Sequence, residues 1–271
     1  MEELIGQGRT ANVFRYSENK VIKIFHKEYT HLAYEEYAAV INIRDADIPA
    51  PHVYDMIDID NKKGIIYEYI RGTSMLHKMQ KNPLKVWRYA RQLADLQADI
   101  HSKTAAGEGL TDIKESLSAT IHDAQSLSED DKTAVLSYLD SLPNDTRLCH
   151  YDFHPDNILI FDNSARVIDW MTAGSGNPCA DVCRTSLILR SNILPPDTSA
   201  LRAIEIKAFR KIFYRIYINR YLSRTGTTFQ EIEQWLLPVA AARLAENIEA
   251  EKLYLDEIIQ PKLSEQGTLR T

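Results

Sequence analysis

The chain has 271 residues, with 32 Lys and Arg against 38 Asp and Glu, a formal net charge of −6. Apolar residues make up 44% and charged residues 26%, with only 10 Gly and 10 Pro. That is the composition of a globular protein, which excludes disordered, collagen-like and coiled-coil classes, and at roughly 150 residues per domain the length fits one or two domains.

In chain order, Ala11 to Tyr16 and Lys20 to His26 are short β segments around Ser17-Glu18-Asn19. A helix is expected from about Thr30 to Ile43. His52 to Ile59 and Ile65 to Ile70 read as a second hairpin around Asn61-Lys62-Lys63-Gly64. Arg71-Gly72-Thr73 breaks the pattern. Helical periodicity follows over Leu84 to Ser102, Ile113 to Ser126 and Ser128 to Leu142, the last opened by Ser128 as a cap with Asp131 three residues on. A short β island comes next, Asn157 to Phe161 and Arg166 to Asp169, turning at Asp162-Asn163-Ser164. Helices are then expected over Leu201 to Leu222, Phe229 to Leu237 and Val239 to Ile259, with a loose tail in the last ten residues. No internal repeat interrupts this order.

Other features bound the setting. The longest run without Asp, Glu, Lys or Arg is Trp170 to Ala180, eleven residues, where a spanning helix needs about 20. Met1-Glu2-Glu3 is acidic where a secretory leader would be basic. Three cysteines, Cys149, Cys179 and Cys183, are too few and odd in number for a disulfide framework. A cytoplasmic protein is expected, and the acidic balance runs against nucleic acid as a partner.

Four places break the local pattern. Gly6-Gln7-Gly8-Arg9-Thr10-Ala11 sits between β segments, where paired glycines let a backbone turn close over a phosphate or form an ordinary hairpin. Lys23 alternates with Val21 and Phe25, so it either points inward, where an ammonium needs a partner, or faces solvent at an edge. Glu36 has Leu32, Val40 and Ile43 on its helix face, whereas Glu35 has His31, Ala39 and Asn42. Glu36 is therefore the acid on the apolar face, a candidate ion-pair partner for Lys23.

The fourth is His150-Tyr151-Asp152-Phe153-His154-Pro155-Asp156-Asn157, followed by Val167-Ile168-Asp169-Trp170. Folding the island back sets Asn157 opposite Asp169 or its neighbour. An amide oxygen and a carboxylate side by side suit Mg²⁺ that is completed by substrate phosphates. Asp152, one loop earlier, is a candidate proton acceptor. Zinc on His150 and His154 would need a helix that Pro155 opposes.

With these residues in place, the sequence resembles the aminoglycoside phosphotransferase and choline kinase family, small-molecule kinases with a protein-kinase-like fold. The resemblance rests on the Gly-rich turn, Val21-Ile22-Lys23, Glu36, the His-x-Asp-x-x-x-x-Asn block and Ile168-Asp169-Trp170, and runs from residue 6 to about 190. It departs from the family pattern at Ala11 in the third glycine position, at Tyr151 where many members carry Gly, and at Trp170-Met171 in place of Phe-Gly. It implies an α+β, bilobal fold, with a small β-rich nucleotide-binding lobe over residues 1–70 and a larger, mainly helical catalytic and acceptor-binding lobe over 71–271.

The resemblance further implies Mg²⁺ and ATP or GTP as phosphate donor. Gly6 and Gly8 would cover the triphosphate, and Lys23, fixed by Glu36, would hold the α and β phosphates. The segment Tyr67 to Ile70 would form the hinge, with Glu68, Tyr69 and Ile70 as the residues meeting the purine. Asn157 and Asp169 would bind Mg²⁺, and Asp152 would orient and partly deprotonate the acceptor hydroxyl. Asp181 looks like the family's structural acid.

The acceptor is expected to be a small hydroxylated molecule bound in the helical remainder. There Glu246, Glu249, Glu251, Asp256 and Glu257 make the late helix acidic, with Glu246 and Glu249 as acceptor-binding candidates. Arg202, Lys207, Arg210, Lys211, Arg215, Arg220 and Arg224 make the earlier helix basic; both blocks also read as solvated faces. Two function classes remain, a Mg²⁺-dependent small-molecule kinase and a non-catalytic nucleotide-binding or regulatory protein. The intact set Lys23, Asp152, Asn157 and Asp169 favours the first.

Overall fold

The computed structural model describes residues 3–44, 46–105, 109–162, 164–191, 193–194 and 197–268. The acidic Met1-Glu2 start and Asn163 of the island turn lie outside the described residues. The elements in chain order are β1 (Leu4–Gln7), β2 (Ala11–Ser17), β3 (Lys20–Phe25), α1 (Thr30–Ile43), β4 (Val53–Ile59), β5 (Lys62–Glu68), β6 (Thr73–Ser74), α2 (Met75–Lys81) and α3 (Val86–His101). Then come β7 (Thr111–Asp112), α4 (Ile113–His122), α5 (Glu129–Ser141), β8 (Arg147–Cys149), β9 (Ile158–Phe161), β10 (Ser164–Val167) and β11 (Gly174–Gly176). The chain closes with α6 (Pro178–Arg190), α7 (Ala200–Thr225), α8 (Phe229–Glu233), α9 (Leu236–Leu244) and α10 (Glu249–Thr268).

These elements group into two compact units. The first holds residues 1–83, 105–110 and 155–174, and the second holds 84–104, 111–154 and 175–271. The grouping differs from the expected division at residue 70 because β6 pairs with β9 and α2 packs on the Pro155–Asn157 turn.

In the first unit an antiparallel sheet runs in the order β1-β2-β3-β5-β4. Alternation along β3 gives it two faces. Ile22 and Ile24 join Ile66 in one buried cluster, packed by Phe14, Ile57 and Ile59, while Lys23 takes the other face. Helix α1 buries Ala33, Glu36, Val40 and Ile43, one stripe at helical spacing, and packs on β5 and β3. The β4–β5 hairpin turns at Asp60-Asn61, not within Lys62-Lys63-Gly64. Both turn residues have positive φ, 48° and 62°, and Ile59 pairs with Lys62. Such two-residue turns match the strand twist, so Lys62 and Lys63 extend the strand instead.

The second unit is built around α9, in which every residue from Leu237 to Leu244 is buried. A helix buried all round belongs at the centre of a helical layer, and α4, α5, α6 and α10 pack on it. The sequence periodicity suggested one helix from Val239 to Ile259. The chain instead breaks between α9 and α10, with Asn247 at φ 54°. Residues 262–268 of the expected loose tail are helical, as α10 runs to Thr268, and its last three residues lie outside the described residues. Ser128 caps α5 as its spacing suggested, accepting from Asp131 N at 3.1 Å.

Gly176 lies where β11 passes Ile113 of α4, and a Cβ there would sit 2.6 Å from Ile113 Cβ. Gly176→Ala should therefore destabilise the protein by about 1–3 kcal/mol, the usual overpacking cost. Urea unfolding would measure it, and an unchanged midpoint would show that the strand can shift without cost.

Candidate active site

Lys23 organises the cluster in the first unit. Its ammonium donates to Glu36 Oε2 at 2.6 Å and to Asp169 Oδ1 at 2.8 Å. Tyr67 OH donates to Glu36 Oε1 at 2.7 Å, so both carboxylate oxygens of this acid, 2% exposed, are satisfied. Burial alone would lower the Lys23 pKa, but Glu36 and Asp169 outweigh it and the ammonium is held well above its ordinary value. Burial pushes Glu36 up, against the pull of Lys23. Helix phase selects Glu36 over Glu35, and cross-strand register places Tyr67 two residues beyond Ile65, the partner of Lys23.

Asp169 follows β10 at φ 66°, a left-handed backbone, with its side chain 38% exposed. The β9–β10 register ends at Ile158 with Val167, and Ile168 N donates to Asn157 O at 2.9 Å. Asn157 thus lies across from Ile168, and its amide and the Asp169 carboxylate belong to the open end of the same hairpin. Trp170, which stands at a family Phe, is buried and donates through Nε1 to Val167 O at 2.9 Å, pinning the turn after Asp169.

The remaining first-unit candidates lie on the sheet. Gly6 pairs with Val13 at the end of β1, and Gly8 N donates to Ala11 O at 2.9 Å, closing the turn on itself. Glu68 N is taken by His52 O at 2.8 Å and Tyr69 N by Asn19 O at 3.0 Å. Arg15 stacks on the Tyr69 ring at 4.2 Å. Of the three expected purine-facing residues, two therefore have their amides committed within the sheet.

Asp152, Glu246 and Glu249 belong to the second unit. His150 is buried, its N–H donating to Asp181 Oδ2 at 2.8 Å, and its Nδ1 accepts from Asp152 N at 3.2 Å. That commits His150 to holding the loop and leaves it unsuited to the zinc reading. Asp181 also meets His101 Nε2 at 3.0 Å, and His101 Nδ1 lies 2.7 Å from Tyr221 OH. Burial would raise the Asp181 pKa, but His101 and His150 hold it low. The Asp152 carboxylate has His154 Nε2 at 3.5 Å and Arg184 Nη2 at 3.6 Å. Burial would raise its pKa, and these groups more than reverse that, so the carboxyl stays below the usual carboxylate range.

Glu246 accepts from Arg184 Nη1 at 2.6 Å and from Arg243 Nη1 at 3.4 Å, so it is not a free surface charge, whereas Glu249 is exposed at the start of α10. Arg184 carries no local sequence signal as a site residue, being one basic residue in an ordinary helix. Tyr67 belongs to the expected hinge segment, but its hydroxyl bond to Glu36 becomes visible only once strand pairing is known. Burial pushes the Cys149 and Cys183 thiols up and Cys179 to about 12, so all three stay protonated.

The sequence profile of the Phosphotransferase enzyme family (APH) matches residues 2–214. The chain belongs to that family. A comparison with curated protein sequences finds no match. Among solved structures, a thermostable mutant of aminoglycoside phosphotransferase APH(4)-Ia in its apo form aligns with TM-score 0.66 at 13% identity, over 97% of this chain and 94% of that one. A choline/ethanolamine kinase family protein from Mesorhizobium loti aligns with TM-score 0.57 at 17% identity, over 98% and 87%. The GDP and kanamycin complex of APH(2")-IIia aligns with TM-score 0.57 at 15% identity, over 99% and 93%. These likenesses show the kinase-like fold of the Phosphotransferase enzyme family. Among the described residues, no helix is long and apolar enough to cross a membrane.

The Lys23 cluster has a stability signature of its own. Lys23→Met leaves Glu36 buried beside Asp169 without a counter-charge, which should cost about 3–5 kcal/mol at neutral pH. Burial keeps the folded-state pKa of Glu36 above its ordinary 4.5, so the folded state binds the extra proton and stability falls as pH rises. The deficit of Lys23→Met should therefore shrink between pH 8 and pH 5, measured by urea midpoints against the parent. A deficit of constant size would show that Glu36 is not the group left exposed to the loss.

Proposed function

We propose that this protein transfers the γ-phosphate of ATP or GTP to a hydroxyl of a small molecule, with Mg²⁺. The observation that carries this reading is Lys23, fixed by two carboxylates that use two of its three N–H donors and keep it charged. The third donor is available to a phosphate oxygen, the task of the lysine in kinase-like sites. Asn157 and Asp169 fit Mg²⁺ by donor chemistry, as one amide oxygen and one carboxylate at the open end of one hairpin, with the Asp169 side chain 38% exposed. Bound there, Mg²⁺ supplies charge neutralisation to the triphosphate.

This chain's residues do the rest. Lys23 holds the α and β phosphates, the Gly6 to Ala11 turn covers them, and the hinge meets the purine edge through Ile70, since the amides of Glu68 and Tyr69 are committed. Asp152 orients the acceptor hydroxyl and receives its proton as the bond to phosphorus forms. Its lowered pKa keeps it ionised, and it makes positioning a larger part of its contribution than basicity. Structural relatives hold ADP with hygromycin B, and GDP with kanamycin, which supports a nucleotide donor and a small acceptor. Glu246 and Glu251 are neutralised by Arg184 and Arg243, which supports an acceptor less cationic than an aminoglycoside, with Glu249 as the exposed carboxylate of the acceptor pair. Nucleic acid and membranes are not partners in this reading, and the setting is cytoplasmic.

Asp152→Asn should lower phosphoryl transfer by roughly 10²–10⁴-fold, the range for loss of a general base, with nucleotide affinity nearly unchanged. Asp169→Asn should instead weaken metal-dependent nucleotide binding and recover in part at excess Mg²⁺. Calorimetry with nucleotide, with and without Mg²⁺, gives the binding half. Coupled ADP release across amino alcohols, sugars and aminoglycosides gives the other. Near-normal turnover by Asp152→Asn would remove the catalytic assignment.

A further inference from the structure

If Asp152 works mainly by position, whatever fixes its carboxylate sets the rate. The groups facing it within the second unit include His154 and His150, on its own loop, and Arg184 of α6. At 3.5 and 3.6 Å, His154 and Arg184 are both within reach to steer the carboxylate by charge. His154 lies on the same loop as Asp152. Arg184 is fixed independently. It is 7% exposed, its Nη1 is anchored on Glu246 Oε1 at 2.6 Å, and its guanidinium lies 5.1 Å from the centre of the Tyr151 ring.

The anchor is itself anchored. Glu246 also receives Arg243 Nη1 at 3.4 Å, and Arg243 grips Glu251 with Nε at 2.6 Å and Nη2 at 3.0 Å. Asp152, Arg184, Glu246, Arg243 and Glu251 thus form a line of alternating charges that ties the loop to α6, α9 and α10. Stability does not account for it. Buried ion pairs of this kind are often matched or bettered by apolar residues of the same volume. Arg184 Nε is buried without a hydrogen-bond partner among the described residues, so its placement does not maximise its own bonding either. What the arrangement achieves is a rigid cation beside one edge of Asp152.

We propose that Arg184, braced by Glu246, is a positioning residue for Asp152, fixing the orientation in which its carboxylate meets the acceptor hydroxyl. This rests on the phosphotransfer reading of Asp152. No bond to Arg184 forms or breaks in the reaction; it acts through the carboxylate it holds. Lysine is only a partial substitute: it keeps the charge but lacks the planar fork whose Nη1 meets Glu246 while Nη2 faces Asp152.

The test uses the full-length protein, Arg184→Gln and Arg184→Lys, with Mg·ATP and water as the acceptor, following ADP release, together with ATP calorimetry, melting curves and crystal structures. Arg184→Gln should lower kcat by about 10–100-fold, as displacement of a reacting group does, with KM for ATP and the ATP Kd changed less than about twofold. Arg184→Lys should recover part of the rate. In an Asp152→Asn background Arg184→Gln should add no further loss, since both act through one group. If Arg184→Gln melts too early to assay, Arg184→Lys carries the test through a reduced kcat at parental melting temperature. An Arg184→Gln crystal structure with Asp152 unmoved, an unchanged kcat, or losses that multiply in the double variant would each overturn the proposal. A parent that neither binds ATP nor releases ADP would instead remove the phosphotransfer reading, and this inference with it.

Discussion

A lysine ammonium out of water is tolerable only with negative partners in contact, and the first unit is organised around meeting that demand. Lys23 sits on the α1-facing side of β3, Glu36 on the buried stripe of α1, and Asp169 on the turn that follows β10. Three segments far apart in sequence converge on one charge. A one-residue slip in the β3–β5 register would turn Lys23 to the opposite face of the sheet. A one-residue change in helix phase would present Glu35 in place of Glu36. Tyr67 closes the arrangement by satisfying the remaining oxygen of Glu36. The site is therefore a constraint on the fold as much as a product of it.

Asp181 plays the matching part in the second unit. Its carboxylate holds the backbone N–H of His150, and His150 in turn accepts from the backbone N–H of Asp152. The candidate base is thus set by backbone, through two buried groups, before any side chain steers its carboxylate. The candidate nucleotide-binding residues and Asp152 fall in different compact units, which the chain links at His154–Pro155. Fixing charges within each unit, by side chains around Lys23 and through backbone N–H groups at Asp152, leaves each half of the candidate site pre-formed, so less ordering remains for ligand binding to supply.

The parts legible in the sequence were those where one local rule settles the answer. Helix phase separates Glu36 from Glu35, hairpin geometry brings Asn157 beside Ile168, and the spacing from Asp152 to Asn157 carries the family resemblance. What stayed hidden depends on pairing across the fold. Asp60-Asn61 takes the β4–β5 turn because both residues accept positive φ, while the Gly64 beside them drew attention to the wrong place. Arg243 and Glu251 meet only because the chain breaks after α9, and an unbroken period of 3.6 conceals the break. The acidity of the late segment was misleading for the same reason. Counting charges along a helix treats each as solvated, yet Glu246 and Glu251 are spent on buried arginines.

Left-handed backbone, found at several turns, also falls at both charged places. Asp169 at φ 66° and Tyr151 at φ 61° are non-glycine residues in the left-handed region, at a cost of roughly 1–2 kcal/mol each. Such conformations persist only where the surroundings over-determine them. For Asp169 the determinant is Lys23 at 2.8 Å, together with the buried Trp170 that pins the next residue. For Tyr151 it is the ring, buried and set against the Arg184 guanidinium. Glycine would remove the strain at residue 151 but would also remove the surface against which Arg184 packs. The strained backbone at Tyr151 and the ordered Arg184 guanidinium beside Asp152 are then parts of one packing arrangement.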